Sequence, residues 1–222
     1  MTFDENIPAP DALRARIAQD LAPVSPLPPP SRRVLVLLPI ALSLLYGSVW
    51  IFGLRRDAPA LGLLLTWGAS LAEMCLGLIL CAAALREAVP GTTLSRRMIG
   101  GAFVTSVLGV VLVTWLTWLT SPTRIAPEAL AWVWTACLGA TVLTALPPLA
   151  FTGWLVARAF PLRPAIAGAL YGLGSGLMAD AGWRLFCHFS DPTHVFGAHV
   201  VGIAVACGVG VGLAKGMRGT GR

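Results

Sequence analysis

Residues 165–199, AIAGALYGLGSGLMADAGWRLFCHFSDPTHVFGAH, decide how this chain is to be read. The first half is apolar, with Gly168, Gly172 and Gly176 four apart, so the three share one helix face on which a neighbouring helix can approach closely. The second half places Asp180, Arg184, Cys187, His188, Asp191, His194 and His199 in a sequence otherwise apolar enough for a membrane. Polar groups left unpaired in hydrocarbon are costly, so these side chains are expected to pair with one another or to serve a function.

Working outward, the whole chain has the same character. Of its 222 residues, 56% are hydrophobic and 12% charged, where a soluble domain carries roughly 25% charge. Its mean hydropathy is +0.78. The apolar residues gather into six runs, at about 34–54, 59–85, 98–119, 129–156, 165–187 and 194–214. Each is long enough to cross a hydrocarbon core of roughly 30 Å as a helix. Pro147 and Pro148 lie inside the fourth run and are expected to kink it or end it early. The expected fold is all-α, a polytopic bundle of six transmembrane helices with a short N-terminal amphipathic helix. The expected organisation is a cytoplasmic partner-binding segment and Pro-rich spacer at 1–33, the bundle at 34–214 and a cytoplasmic tail at 215–222. The polar, proline-rich start does not have the pattern of a cleaved signal, so the first apolar run is expected to act as an uncleaved one.

The net charge of +6 does not point to nucleic acid. Basic residues flank apolar runs in ones and twos and form no tract with interleaved aromatics, which suits anionic lipid and topology control better. Arg14, Arg16, Arg32, Arg33, Arg86, Arg96, Arg97, Arg158, Arg163, Lys215, Arg218 and Arg222 fall on one side of a six-span arrangement. Only Arg55, Arg56 and Arg124 occupy loops on the other. The positive-inside rule then puts both termini in the cytoplasm, with Arg55 and Arg56 as a local exception. Trp50, Trp67, Trp115, Trp118, Trp132, Trp134 and Trp183 fall toward the outer interface as an aromatic belt.

Ahead of the bundle, DALRARIAQDL at 11–21 sets Leu13, Ile17 and Leu21 at every fourth position. That period describes a short amphipathic helix. At eleven residues it is below the ~12–15 at which isolated helices become marginal in water, so a partner or the membrane surface has to order it. An interfacial anchor or an unstructured tail would read the same way. PVSPLPPPSRR at 23–33 is expected to be an extended spacer.

Within the spans, Glu73 and Asp180 must pair, face the interior or be protonated. Asp180 and Arg184 are i,i+4 and can neutralise one another, while Glu73 has no basic neighbour on its own helix. A small transporter or channel using Glu73 and Asp180 is one reading. Cys187, His188, His194 and His199 gather where the fifth run gives way to the sixth. Thiolate and imidazole suit soft or borderline ions of the Zn, Cd, Cu or Ni class, although the spacing follows no standard motif and structural packing would also explain it. Cys137 lies near the same end of the fourth run, so pairing with Cys187 is geometrically possible. Gly208 and Gly212 offer the sixth run a small-residue face. The chain has no HExxH, GxSxG, phosphate-binding loop or dinucleotide fingerprint, so no enzyme chemistry or required cofactor is expected.

LRARIAQDLAPVSPLPPPSRR at 13–33, the ALREAVPG exit of the second run at 84–91, and the glycine-rich stretch running on to Cys187 and His199 together resemble the NrsF family. Its members are six-span bacterial inner-membrane anti-sigma factors. The resemblance implies that an extracytoplasmic-function sigma factor is held by the N-terminal segment, with Leu13, Ile17 and Leu21 as anchors. It also implies that Cys137 and Cys187 take part in release on heavy-metal or oxidative stress, and that the protein turns over no substrate.

Overall fold

A computed structural model of the chain describes residues 10–20, 27–123 and 130–217. The chain order is α1 (Asp11–Asp20), α2 (Pro30–Leu35), α3 (Leu38–Phe52), α4 (Ala58–Leu63), a π-helical turn (Leu64–Gly68), α5 (Ala69–Glu87), α6 (Arg96–Thr120), α7 (Leu130–Ala157), α8 (Pro164–Arg184), α9 (Pro192–His194), a second π-helical turn (Val195–Val200) and α10 (Val201–Gly216). The fold is all-α among the described residues. Among the described residues, five stretches are long and apolar enough to cross a membrane: Pro30–Phe52, Ala58–Glu87, Arg96–Thr120, Ala131–Ala157 and Pro192–Gly216.

Prolines and glycines punctuate these helices where their backbone chemistry requires. Pro30 and Pro164 open α2 and α8 at positions where a missing N–H costs nothing, and Gly53, at φ 83°, ends α3. Ser95 caps α6 by accepting from the Met98 amide at 3.2 Å. Pro147 and Pro148 do not end the fourth run early. Helix α7 continues through them to Ala157, and the Thr152 hydroxyl donates to the Pro148 carbonyl at 2.7 Å. The spacer is also shorter than expected, because helix begins at Pro30 instead of after Arg33. Arg33 is buried and donates to the carbonyls of Leu85 and Leu155, groups left over where α5 and α7 end.

The remaining long helix, α8, is the axis of the bundle. Its 21 residues give about 32 Å of length, and every residue from Leu170 to Gly182 is buried. Glycine lets α3, α5 and α10 come within backbone distance of it. A Cβ on Gly172 would meet the Ala206 oxygen at 2.6 Å and Cys207 Cα at 2.7 Å; one on Gly176 would meet Ile203 Cα at 2.9 Å. Gly174 abuts Gly77 of α5, and Gly182 abuts Leu44 of α3. The face expected on the sixth run is displaced. Gly208 and Gly212 have no neighbour within 4 Å where a Cβ would sit, and Gly210 is the residue against Gly168 and Gly172. Residues 11–20 are helical, with Leu13 49% and Ile17 52% exposed. Leu21 lies outside the described residues.

Gly172→Ala is expected to destabilise the folded bundle in detergent by about 1–3 kcal/mol, because the added methyl meets backbone that cannot step aside. Gly208→Ala should fall within about 0.5 kcal/mol of the unaltered protein. Thermal unfolding of the two variants side by side checks the pair.

Candidate functional site

Arg184, in the last turn of α8, is buried together with two carboxylates. Its Nε lies 2.9 Å from Glu73 Oε2 of α5 and 3.0 Å from Asp180 Oδ2 one turn back on α8. Its Nη2 donates to Thr114 Oγ1 of α6 at 3.3 Å. The i,i+4 pair expected from the sequence is present, and Glu73 finds its cation on another helix. The other oxygen of Asp180 accepts from His199 Nδ1 at 2.5 Å. A carboxylate only accepts, so the Nδ1 proton is fixed there, and the other ring nitrogen, Nε2, has no hydrogen-bond partner.

Beside this network Cys137, Cys187, His194 and His199 converge, each with a ligand atom within 4.8 Å of the others'. The sulfurs of Cys137 and Cys187 are 3.9 Å apart, and Cys187 Sγ is 3.4 Å from His194 Nε2. Tetrahedral coordination at about 2.3 Å to sulfur and about 2.0 Å to nitrogen sets sulfurs ~3.8 Å apart and sulfur and nitrogen ~3.5 Å apart. Those two separations match a tetrahedral site, the four donors together form a group that could hold a metal ion, and Cys187, His194 and His199 are buried. His194 and His199 meet because of the π-helical turn between them. In an α-helix, residues five apart stand about 140° from one another. The π-helical turn at Val195–Val200, with its i→i+5 bonding, brings the two rings to 5.1 Å. Gly197 in that turn lies against Trp134 of α7, where a Cβ would come within 2.8 Å of the ring, and Cys137 follows about one turn later on the same helix.

His188 is not one of the four. It is half-buried and stacks on Phe189 at 4.2 Å, and Asp191 also falls outside the group. Cys75, Cys81 and Cys207 are free thiols away from the cluster.

Above the cluster, the loop after α3 forms a lock that the sequence reading missed. Arg55, counted only as a topological exception, is buried and bidentate to Asp57 at 2.6 and 2.9 Å. It also donates to Ser190 Oγ at 2.7 Å and to the Arg184 carbonyl at 3.3 Å, while the Ser121 hydroxyl donates to Asp57 at 2.5 Å. Three loops are thus tied over the site. Burial works against the charge on Asp57, yet the hydrogen bonds from Arg55 and Ser121 outweigh it and hold the carboxyl below its ordinary value of 3.8. At the other end of the bundle Arg163 grips Glu87 at 2.6 and 2.8 Å. Only the RD pair at 55 and 57, two residues apart in a tight loop, was a signal that sequence could have offered.

A family model described as NrsF, Negative regulator of sigma F, matches residues 17–217. No curated protein and no solved structure matches the chain.

Asp57→Asn leaves Arg55 buried without its anion and is expected to cost about 3–5 kcal/mol at neutral pH. Because the folded carboxyl sits below 3.8, its stabilising effect is complete above that pH and fades as pH falls beneath it. The difference in melting temperature between the unaltered protein and the variant should therefore narrow on acidification below 3.8.

Proposed function

The chain belongs to the NrsF family of negative regulators of sigma F, non-catalytic membrane proteins, and we propose that it is an anti-sigma factor whose release of its partner is set by the Cys137–Cys187–His194–His199 cluster. The convergence of those four donors within 4.8 Å, drawn from three separate stretches of chain, is the observation that carries this reading. A heavy-metal ion of the Zn, Cd, Cu or Ni class held there would tie α7, through Cys137, to the loop after α8 and the start of α10. An oxidant would act on the same pair of thiols.

In this reading α8 is the fifth of six spans, enclosed by five more apolar ones. Its glycines, Asp180 and Arg184 lower its hydropathy, and burial among the other helices removes the need for a lipid-facing surface. Both termini face the cytoplasm of a bacterium whose inner membrane holds the protein. The local exception weakens as well, since Arg55 is neutralised by Asp57 and does not count as a free charge in its loop.

The N-terminal 33 residues capture an extracytoplasmic-function sigma factor. Leu13 and Ile17 are half-exposed on α1 and, with Leu21, supply apolar anchors for a groove on a helical partner. Such a short helix gains order on binding, which suits reversible capture. Membrane lipid is the other partner, and nucleic acid is contacted only through the sigma factor.

Pull-down of the sigma factor by the full-length protein should be lost, by more than about tenfold, when Leu13, Ile17 and Leu21 are all changed to Asp; undiminished capture would place the contact elsewhere. Cys137→Ser and Cys187→Ser should each leave basal repression intact and abolish induction by cadmium in a reporter strain. A normal response in the double variant would remove both cysteines from the sensor.

A further inference from the structure

We propose that Asp180 is a positioning residue that presents His199 as the fourth ligand of the cluster, giving the site the S2N2 tetrahedral geometry suited to divalent zinc and cadmium. This rests on reading the four donors as a metal site.

The two histidines of the cluster are held differently. His194 lies 3.4 Å from Cys187 Sγ through Nε2 and packs against Phe189 and His199, but its Nδ1 has no hydrogen-bond partner, so no carboxylate stands behind its ring. His199 has its Nδ1 on Asp180 and its Nε2 without a hydrogen bond. A carboxylate behind an imidazole fixes the tautomer, the ring plane and the basicity of the far nitrogen, and that far nitrogen is the one a cation needs. Asp180 cannot swing to another partner, since its second oxygen is on Arg184, itself held by Glu73 and Thr114. The carboxylate is fully buried. The ion pair accounts for one carboxylate oxygen, and orienting His199 accounts for the other.

The test uses the purified full-length protein in detergent, titrated with Co2+ and followed by its thiolate charge-transfer and d–d absorption. Asp180→Asn should weaken Co2+ binding by about 10–100-fold and turn the intense tetrahedral d–d bands into weaker ones of higher coordination. His199→Ala should do the same, and the double variant should be no worse than His199→Ala alone, because Asp180 acts through that ring. An unchanged affinity in Asp180→Asn, or losses that add in the double variant, would overturn the assignment. In case Asp180→Asn does not fold, two spectra of the unaltered protein decide. Its 113Cd resonance should report two sulfurs and two nitrogens, and its 15N-histidine spectrum should show a protonated His199 Nδ1 in the loaded form. A single nitrogen ligand, or cadmium on Nδ1, would overturn it equally. The metal-site reading fails separately, if the unaltered protein shows no thiolate band with Co2+ or shows one that Cys137→Ser and Cys187→Ser leave unchanged.

Discussion

A guanidinium buried in an apolar helical bundle sets the terms for the rest of this structure. Arg184 has almost no contact with the surroundings, and removing a charge of that size from water is tolerated only where opposite charge and hydrogen bonds converge on it. Glu73 comes from α5, Asp180 from α8 itself and the Thr114 hydroxyl from α6. Three helices are therefore fixed in rotation about their own axes by one side chain. His199 joins from the turn leading into α10 through the second oxygen of Asp180. The convergence needs short interhelical distances, which the glycines of α8 provide by letting α10 and α5 approach to backbone contact.

The ends of the bundle obey the same requirement in a wetter setting. Where α5 and α7 finish, carbonyls lose their intrahelical donors, and Arg33 supplies them from α2. Near the same end Arg163 binds Glu87, and both the Leu94 amide and carbonyl are held by that pair. Arg55 and Asp57 do the corresponding work at the other end, over the Cys2His2 cluster. Basic residues that looked like simple markers of sidedness are thus also structural donors, which is why a count of charges by loop understates what each contributes.

How much was legible in the sequence depends on whether the signal was local. The face of Gly168, Gly172 and Gly176 and the Asp180–Arg184 pair follow from α-helical spacing on a single element, and both are present. The partnership of Glu73 with Arg184 crosses from α5 to α8, and nothing in either segment marks the register between them. His194 and His199 group with Cys187 and His188 because they are close in the chain, but the geometry that joins them was not legible: five residues is the wrong spacing for one face of an α-helix, and the π-helical turn makes it right. Position by position, the small-residue face of α10 failed similarly, because the contact runs through Gly210, between the two glycines that a four-residue period had singled out. Cys137 was legible from its place at the same end of the fourth run as Cys187, and its sulfur lies 3.9 Å from that of Cys187, while Trp134 on the same helix packs against Gly197.

Packing is uneven around the axis, and the unevenness falls where the ionic network reaches outward. Helix α6 buries only Ser106, Val110, Thr114 and Thr117, a single stripe along its length. Half-open apolar clefts of about 280 Å³ and 120 Å³ flank that stripe, one toward α8 and α10 and the other toward α5. A helix seated on one ridge between two clefts makes fewer close contacts with the bundle, so it resists displacement less than its neighbours do. The hydrogen bond from Arg184 to Thr114 is made to this weakly seated helix, whereas α8 and α10 are locked by backbone contact. Any displacement of Arg184 would pull on Glu73, Asp180 and Thr114 together. Of the helices Arg184 holds, α6 has the least packing to oppose that pull.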